Sequence, residues 1–386
     1  MGRLLRANSY DTHMKIALTA DWIMAAGGAE HVIHAFVEAF PQAPIFTTVT
    51  ADLSVGPFAS ATIHTSTLQR WYRLLGKHQP FLPWMPHAME SFDLRDYDVV
   101  LSSSHAVGKG ILPPPNAIHV CYCHTPMRYA WFMEDDYLRD FHIPHFLWPL
   151  IKRRLETLRA WDLATSKRVD LFLANSETTA RRIHEIYGRE SIVMHPPVDD
   201  HFFDVPLRSS TEKPYFLAVG RLVPYKRFDL LIDAANAGGF HLKIAGSGHE
   251  EEALRKRAGP TVEFLGYVPD AALPALYANA EALLFPQEED AGIVLLEAQA
   301  CGTPIIAYGA GGAVDLTKAG VSSVLFPSQT CDSILHAIDE FRAYPWARAT
   351  IRNRVRECMR STFEERITHI VTDAYDQFSR HTFTRT

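Results

Sequence analysis

Glu289 and Glu297 stand eight positions apart in the stretch EEDAGIVLLEAQACG (288–302), separated by a single glycine and an apolar run. Two carboxylates in such a setting suit acid–base work or the holding of hydroxyl groups. The run predicts a helix from about Gly292 to Cys301, stopped by Gly302 with Pro304 beyond it. Glu289 then lies in the loop before the helix, and Glu297 lies more than one turn inside it. The first N–H groups of the helix have no partner within it and carry about half a positive charge, a ready anion site. Both glutamates also read as ordinary solvated residues, with Glu289 complementing the helix dipole. Glu297 strains that reading, because its neighbours Ile293, Val294, Leu295, Leu296 and Ala298 are apolar. A carboxylate buried among them needs hydrogen-bond donors, and ligand hydroxyls are one source.

Other residues add to the same chemistry. Arg221 and Lys226 fall within RLVPYKR (221–227), two cations suited to a polyanion such as a diphosphate. Ser247-Gly248 and Gly309-Ala310-Gly311-Gly312 are turns that permit close backbone approach. Earlier in the chain, Gly27-Gly28 opens a helix after a strand, and His124 follows another strand directly. The segment 22–30 is not G-x-G-x-x-G, so the dinucleotide fingerprint is absent from its expected place.

These residues need a frame to bring them together. Short apolar, β-rich runs alternate with helix-length segments. The first series is KIALTAD (15–21), PIFTTV (44–49), DVVLSSS (98–104), AIHVCYC (117–123), DLFLANS (170–176) and SIVMHP (191–196). Helices are expected over 28–40 and 177–188, the latter capped by Asn175 or Ser176. After the polar stretch 199–214 a second series follows: YFLAVG (215–220), HLKIAG (241–246), VEFLG (262–266), EALLFP (281–286), PIIAYG (304–309) and SSVLFP (322–327). Apolar strands with helical crossovers imply parallel sheets covered on both faces. Two series imply two doubly wound α/β domains, with ligands at the carboxyl ends of the strands. The expected divisions are an extension over 1–13, domains over 14–200 and 201–362, and a closing helical segment, 363–386, packed back across them.

Composition narrows the classes. The 386 residues suit about two domains of roughly 100–200 residues each. A net charge of −6 and a pI near 6.3 argue against a nucleic-acid partner. Five cysteines, an odd number without framework spacing, fit a reducing compartment. Cys121 and Cys123 face one side of a strand and read as packing rather than metal ligands. Asp96-Tyr97-Asp98 has D-x-D spacing, but it precedes its strand at the end away from the expected cleft, so no metal is expected there. The polar N-terminal stretch lacks the apolar core of a secretory signal, and no run approaches the roughly 18 apolar residues of a spanning helix. A cytoplasmic location is the expectation.

The ordered set Glu289-x7-Glu297, GRLVPYK (220–226), GGAE (27–30), HTP (124–126), FLANS (172–176) and GTPIIAYGAGG (302–312) resembles the retaining glycosyltransferases of family 4. The resemblance spans about residues 14–330. It implies the GT-B architecture, an N-terminal acceptor-binding domain, a C-terminal nucleotide-sugar-binding domain, and metal-independent chemistry with no cofactor. Carried over, Arg221 and Lys226 hold the donor diphosphate, and the amides of Gly292, Ile293 and Val294 reach sugar and phosphates. Glu289 bonds sugar hydroxyls and Glu297 the ribose, while Tyr267 and Val268 flank the base. Gly28 approaches the diphosphate, and His124 contacts the donor sugar near its reacting carbon. His124, Glu289, Arg221 and Lys226 form the implied catalytic set. Ala291 departs from the aromatic that many members carry before the motif glycine.

The EED-x-GI variant with HTPMRYAW (124–131) resembles bacterial mannosyltransferases of exopolysaccharide and O-antigen synthesis, which implies GDP-mannose. UDP-glucose, another nucleotide sugar, or a nucleotide-sugar 2-epimerase of the same fold are the alternatives. The stretches 70–77 and 146–154 mix cations with aromatic and apolar residues, which suits either a domain core with a solvated edge or a surface that lies peripherally on the cytoplasmic membrane face. On the membrane reading the acceptor is a glycan linked to polyprenyl diphosphate.

Overall fold

The computed structural model describes residues 14–24, 28–51, 56, 58–132, 145–208 and 213–383. The expected extension 1–13, and Gly27 of the GGAE motif, lie outside them. Seven parallel strands form the first sheet: β1 (Ile16–Ala20), β2 (Ile45–Thr47), β3 (Ile63–Thr65), β4 (Val99–Ser104), β5 (Ile118–Cys123), β6 (Leu171–Ala174) and β7 (Ser191–Val193). Their order is β3-β2-β1-β4-β5-β6-β7. Six more form the second: β8 (Phe216–Val219), β9 (Leu242–Ala245), β10 (Val262–Gly266), β11 (Leu283–Phe285), β12 (Ile305–Tyr308) and β13 (Ser323–Phe326). They are ordered β10-β9-β8-β11-β12-β13. Both sheets therefore reverse direction of winding after their third strand, the fourth returning to the far side of the first. That places one switch point between β1 and β4 and another between β8 and β11, where an open α/β sheet presents ligand-binding loops.

The central strands are Val-, Ile- and Leu-rich and buried throughout, as strands covered by helices on both faces must be. Each expected strand is present, β10 with the expected bounds and the others shortened at one or both ends. β3 was not expected: it is three residues long, at the sheet edge, and half-exposed, so it carries no apolar run. Ser176 rather than Asn175 caps the helix Glu177–Tyr187, its Oγ accepting the amide of Thr179 at 3.1 Å. Cys121 and Cys123 pack in one cluster with Phe172 and Ile183.

The chain crosses between the domains twice, and the crossings pair. Val198 N–H donates to Cys358 at 2.7 Å, and Arg360 N–H donates back to Val198 at 2.8 Å. The final helix, Arg360–Phe383, starts three residues earlier than expected. Its Phe363, Ile367 and Val371 complete the core of the first domain beside Leu18, Leu101 and Tyr122.

Candidate functional site

The second sheet's switch point carries most of the sequence-derived residues. After β8 the chain bends through residues 220–227 into a helix, Phe228–Gly238. The Ser247-Gly248 turn after β9 supports this bend, since Ser247 C=O accepts the amide of Leu222 at 3.0 Å. The backbone that approaches this turn is therefore that of the neighbouring loop. Arg227 adopts φ 53°, the one left-handed non-glycine among the described residues, and its guanidinium pairs with Asp229. The bend buries Lys226 and leaves Arg221 exposed.

After β11 the loop 286–292 leads into the helix Ile293–Ala300. Gly292 has φ 81°, and a Cβ there would stand 3.0 Å from the Phe285 ring. Any other residue would be strained on both counts. The turn before the helix Gly312–Leu316 braces this loop: Gly312 N–H donates to Glu289 C=O at 2.7 Å. A Cβ on Gly312 would strike the backbone of Asp290 and Ala291. Glu289 is thus held from behind while its carboxylate meets Lys226 Nζ at 2.8 Å, the two drawn together from adjacent strand ends.

Glu297 is 6% exposed and accepts a hydrogen bond from the buried Tyr277 hydroxyl at 2.8 Å. Burial pushes its carboxyl up to about 7, against the opposing pull of Tyr277. Tyr277 was invisible to sequence reasoning, because it lies 20 positions upstream on the separate helix Leu273–Asn279. Tyr267 is 74% exposed at the end of β10, and Val268 packs partly against the core.

From the first domain, Gly28 begins the helix Gly28–Ala39 and faces Ile293: a Cβ on it would lie 3.9 Å from Ile293 Cγ2. His124, at the end of β5, shares a hydrogen bond between its Nε2 and Ser103 Oγ at 2.8 Å. Burial and the charge of His105 push it down to about 3, so His124 is neutral. Asp98, of the D-x-D sequence, accepts the amide of Lys15 at the opposite end of the sheet.

Asp290 joins the two domains and was read from sequence only as part of a polar turn. Its carboxylate takes Arg128 Nε at 2.9 Å and also pairs with Arg182. Its carbonyl accepts from Ser176 Oγ at 2.6 Å, and Asp315 Oδ2 accepts the amide of Thr178 at 2.7 Å nearby. Arg128 belongs to the HTPMRYAW stretch, whose Trp131 donates to the buried carboxylate of Asp162 at 2.8 Å. Lys109 and Tyr187 also bind Asp162, so the turn bearing Arg128 is anchored in the core. Between the domains lies a cavity of about 530 Å³ lined by Arg128, Arg182, Tyr225, Arg227, Glu288 and Glu289. A polar cleft of this size, with carboxylates and guanidinium groups converging on it, fits a hydroxylated and phosphorylated small molecule.

Residues 26–202 match the family model Glycosyltransferase Family 4, and residues 198–357 match Glycosyl transferases group 1. The chain carries two glycosyltransferase domains. Over 217 residues it is 30% identical to a D-inositol 3-phosphate glycosyltransferase of Kribbella flavida, covering 47% of this chain and 50% of that one. Over 147 residues it is 33% identical to a GDP-mannose-dependent alpha-(1-6)-phosphatidylinositol monomannoside mannosyltransferase of Mycobacterium tuberculosis, covering 33% and 38%. The chain thus spans half or less of these curated relatives. Among solved structures, Anabaena Alr3699/HepE in complex with UDP and glucose has a TM-score of 0.68 at 18% identity, covering 93% of this chain and all of that one. The two glycosyltransferase domains therefore adopt the GT-B fold, two Rossmann-like units facing each other across a cleft.

Proposed function

We propose that the chain is a retaining glycosyltransferase that moves mannose from GDP-mannose to a glycan or lipid-linked oligosaccharide in cell-surface polysaccharide synthesis. The observation that carries this reading is the Lys226–Glu289 pair, held at the switch point before an open helix N-terminus. On donor binding, Lys226 and the exposed Arg221 turn to the diphosphate and stabilise charge on the departing nucleotide. The amides of Gly292, Ile293 and Val294 add donors, and Gly28 closes from the opposite side. Glu289 is freed to bond sugar hydroxyls, Glu297 takes the ribose, and Tyr267 and Val268 flank the base. His124 contacts the sugar beside the reacting carbon.

The acceptor hydroxyl attacks that carbon from the face of the leaving group. The C–O bond to phosphate breaks as the new glycosidic bond forms, and the leaving phosphate takes the hydroxyl proton. No side chain serves as nucleophile, unlike the second carboxylate of retaining hydrolases. Because lysine and arginine supply the positive charge, the reaction needs no metal, and EDTA leaves turnover unchanged. A second donor, UDP-glucose, is supported by the fold shared with the Anabaena protein solved with UDP and glucose.

The acceptor lies at a membrane surface in this reading. Trp71, Leu74 and Leu75 are exposed on the helix Gln69–Leu75, beside Arg70, Arg73 and Lys77. Phe146 and Leu150 are exposed ahead of Lys152, Arg153 and Arg154. Such mixed apolar and basic surfaces bind anionic lipid. No described helix is long and apolar enough to cross a membrane. Flotation with phosphatidylglycerol liposomes at low salt tests this, and absence of binding removes the membrane surface. Incubation with a panel of nucleotide sugars, followed by NMR of the product anomer, tests donor and stereochemistry together. An inverted product overturns the retaining mechanism.

A further inference from the structure

The first sheet has its own switch point, between β1 and β4, and the two residues there have no part in the reading above. Asp21 follows β1 and is 1% exposed. Its carboxylate accepts the backbone amides of His105 at 2.7 Å, Ala106 at 3.1 Å and Gly108 at 2.6 Å. The Ser104 hydroxyl adds a bond at 3.3 Å. His105, following β4, places Nδ1 2.9 Å from the same carboxylate. So many donors keep Asp21 ionised, and an ionised Asp21 fixes the hydrogen of His105 on Nδ1. Nε2 is left over, with no hydrogen-bond partner among the described residues. The ring stays accessible, its side chain 29% exposed. Trp22 meets it edge-on at 4.7 Å, and the His124 ring is 6.1 Å away.

An oriented imidazole with a vacant nitrogen, at a switch point and beside His124, is placed to meet a substrate rather than to fill a core. We propose that His105, oriented by Asp21, binds the acceptor: Nε2 accepts a hydrogen bond from a hydroxyl beside the attacking one, which leaves the attacking hydroxyl's own hydrogen free for the phosphate and sets its direction towards the donor sugar. The inference rests on the transferase reading. His105 does not take the proton, which passes to the leaving phosphate as described.

Protonation of Nε2 abolishes its capacity to accept. Asp21 and Glu30 raise the His105 pKa, while desolvation and Arg128 lower it, and the balance lies above the ordinary 6.5. His124 and His78 also approach this cluster, His78 through its contact with Trp22. Acceptor binding therefore weakens as pH falls through a value above 6.5.

Octyl α-mannoside and octyl β-glucoside serve as surrogate acceptors, with the best donor from the nucleotide-sugar panel. His105→Ala should raise acceptor KM about tenfold or more, the loss of one hydrogen bond to a charged or oriented partner. The dissociation constants of GDP and UDP, read by calorimetry, should stay within twofold. His105→Gln, which keeps an acceptor oxygen but does not titrate, should restore much of the affinity and flatten the acid limb of acceptor KM. Unchanged acceptor KM in His105→Ala, or an equal rise in nucleotide dissociation constants, overturns the assignment. If the wild-type chain uses no donor on the panel, the transferase reading fails first. The His105 imidazole resonance then decides the binding claim: in GDP- or UDP-loaded protein, octyl glycosides must shift it, and no shift overturns the proposal.

Discussion

Each domain holds a short polar pair where its sheet reverses, and the two pairs are built in opposite senses. In the second domain the cation, Lys226, follows the first strand and the carboxylate, Glu289, follows the fourth, 2.8 Å apart. In the first domain the carboxylate, Asp21, follows the first strand and the imidazole, His105, follows the fourth, 2.9 Å apart. Asp21 is bound by three further amides and cannot leave. Lys226 and Glu289 are held mainly by each other, so a phosphate and a sugar hydroxyl can replace each partner in turn. One pair is a fixed bracket and the other is exchangeable. The same topology thus yields an orienting device on one side of the cleft and a ligand-responsive one on the other.

The sharpest way to break this contrast is to disable the exchangeable pair. Glu289→Ala and Lys226→Met should each lower turnover by roughly 100- to 1,000-fold, the scale for removing one group that stabilises developing charge. Near-normal steady-state rates in either variant would show that the pair is only structural.

Glu297 offers the next largest effect. Its folded pKa of about 7 lies above the ordinary 4.5. The stability it contributes is therefore complete below pH 4.5 and is lost as pH rises through about 7. The shift corresponds to about 3 kcal/mol. Glu297→Gln, compared with wild type by urea unfolding, should gain on it progressively between those pH values. Nucleotide binding should also release a proton near pH 6.5–7, roughly the raised pKa, when ribose hydroxyls reach the carboxylate. Calorimetry in buffers of different ionisation enthalpy measures that release directly.

Asp290→Asn tests whether closure depends on the bridge between domains. It leaves Arg128 and Arg182 facing each other without their carboxylate, a loss of about 1–3 kcal/mol. Small-angle scattering should report a larger radius of gyration in the absence of nucleotide, and an unchanged radius would sink the idea. Tyr267→Ala should matter least, raising the nucleotide dissociation constant less than about tenfold, since a single exposed ring offers about 1 kcal/mol of stacking.

The sequence carried the strands and the exchangeable site because both are written in local pattern. Apolar runs mark strands, and Glu289, Gly292 and Glu297 share one helix entry. The bracket was not legible: Asp21 and His105 are far apart in the chain, and each looks unremarkable in its own loop. Tyr277 was hidden for the same reason, since its link to Glu297 exists only after two helices pack. The Ser247-Gly248 and Gly309–Gly312 turns were read as room for a ligand. In the fold they hold the neighbouring loops that bear Arg221, Lys226 and Glu289. Arg227 has no helical or strand signal, yet it occupies left-handed backbone where glycine is the easier choice.

Phe363, Ile367 and Val371 lie against Leu18 and Leu101, and this has a bearing on biosynthesis. On the ribosome the first sheet emerges early but lacks one wall of its core until the last helix is made. At roughly 5–20 residues per second, that interval is on the order of tens of seconds. The second domain, whose strands and helices close on themselves, can finish first. The nascent first domain is thus the part most in need of protection, and it becomes complete only once the helix Arg360–Phe383 is made.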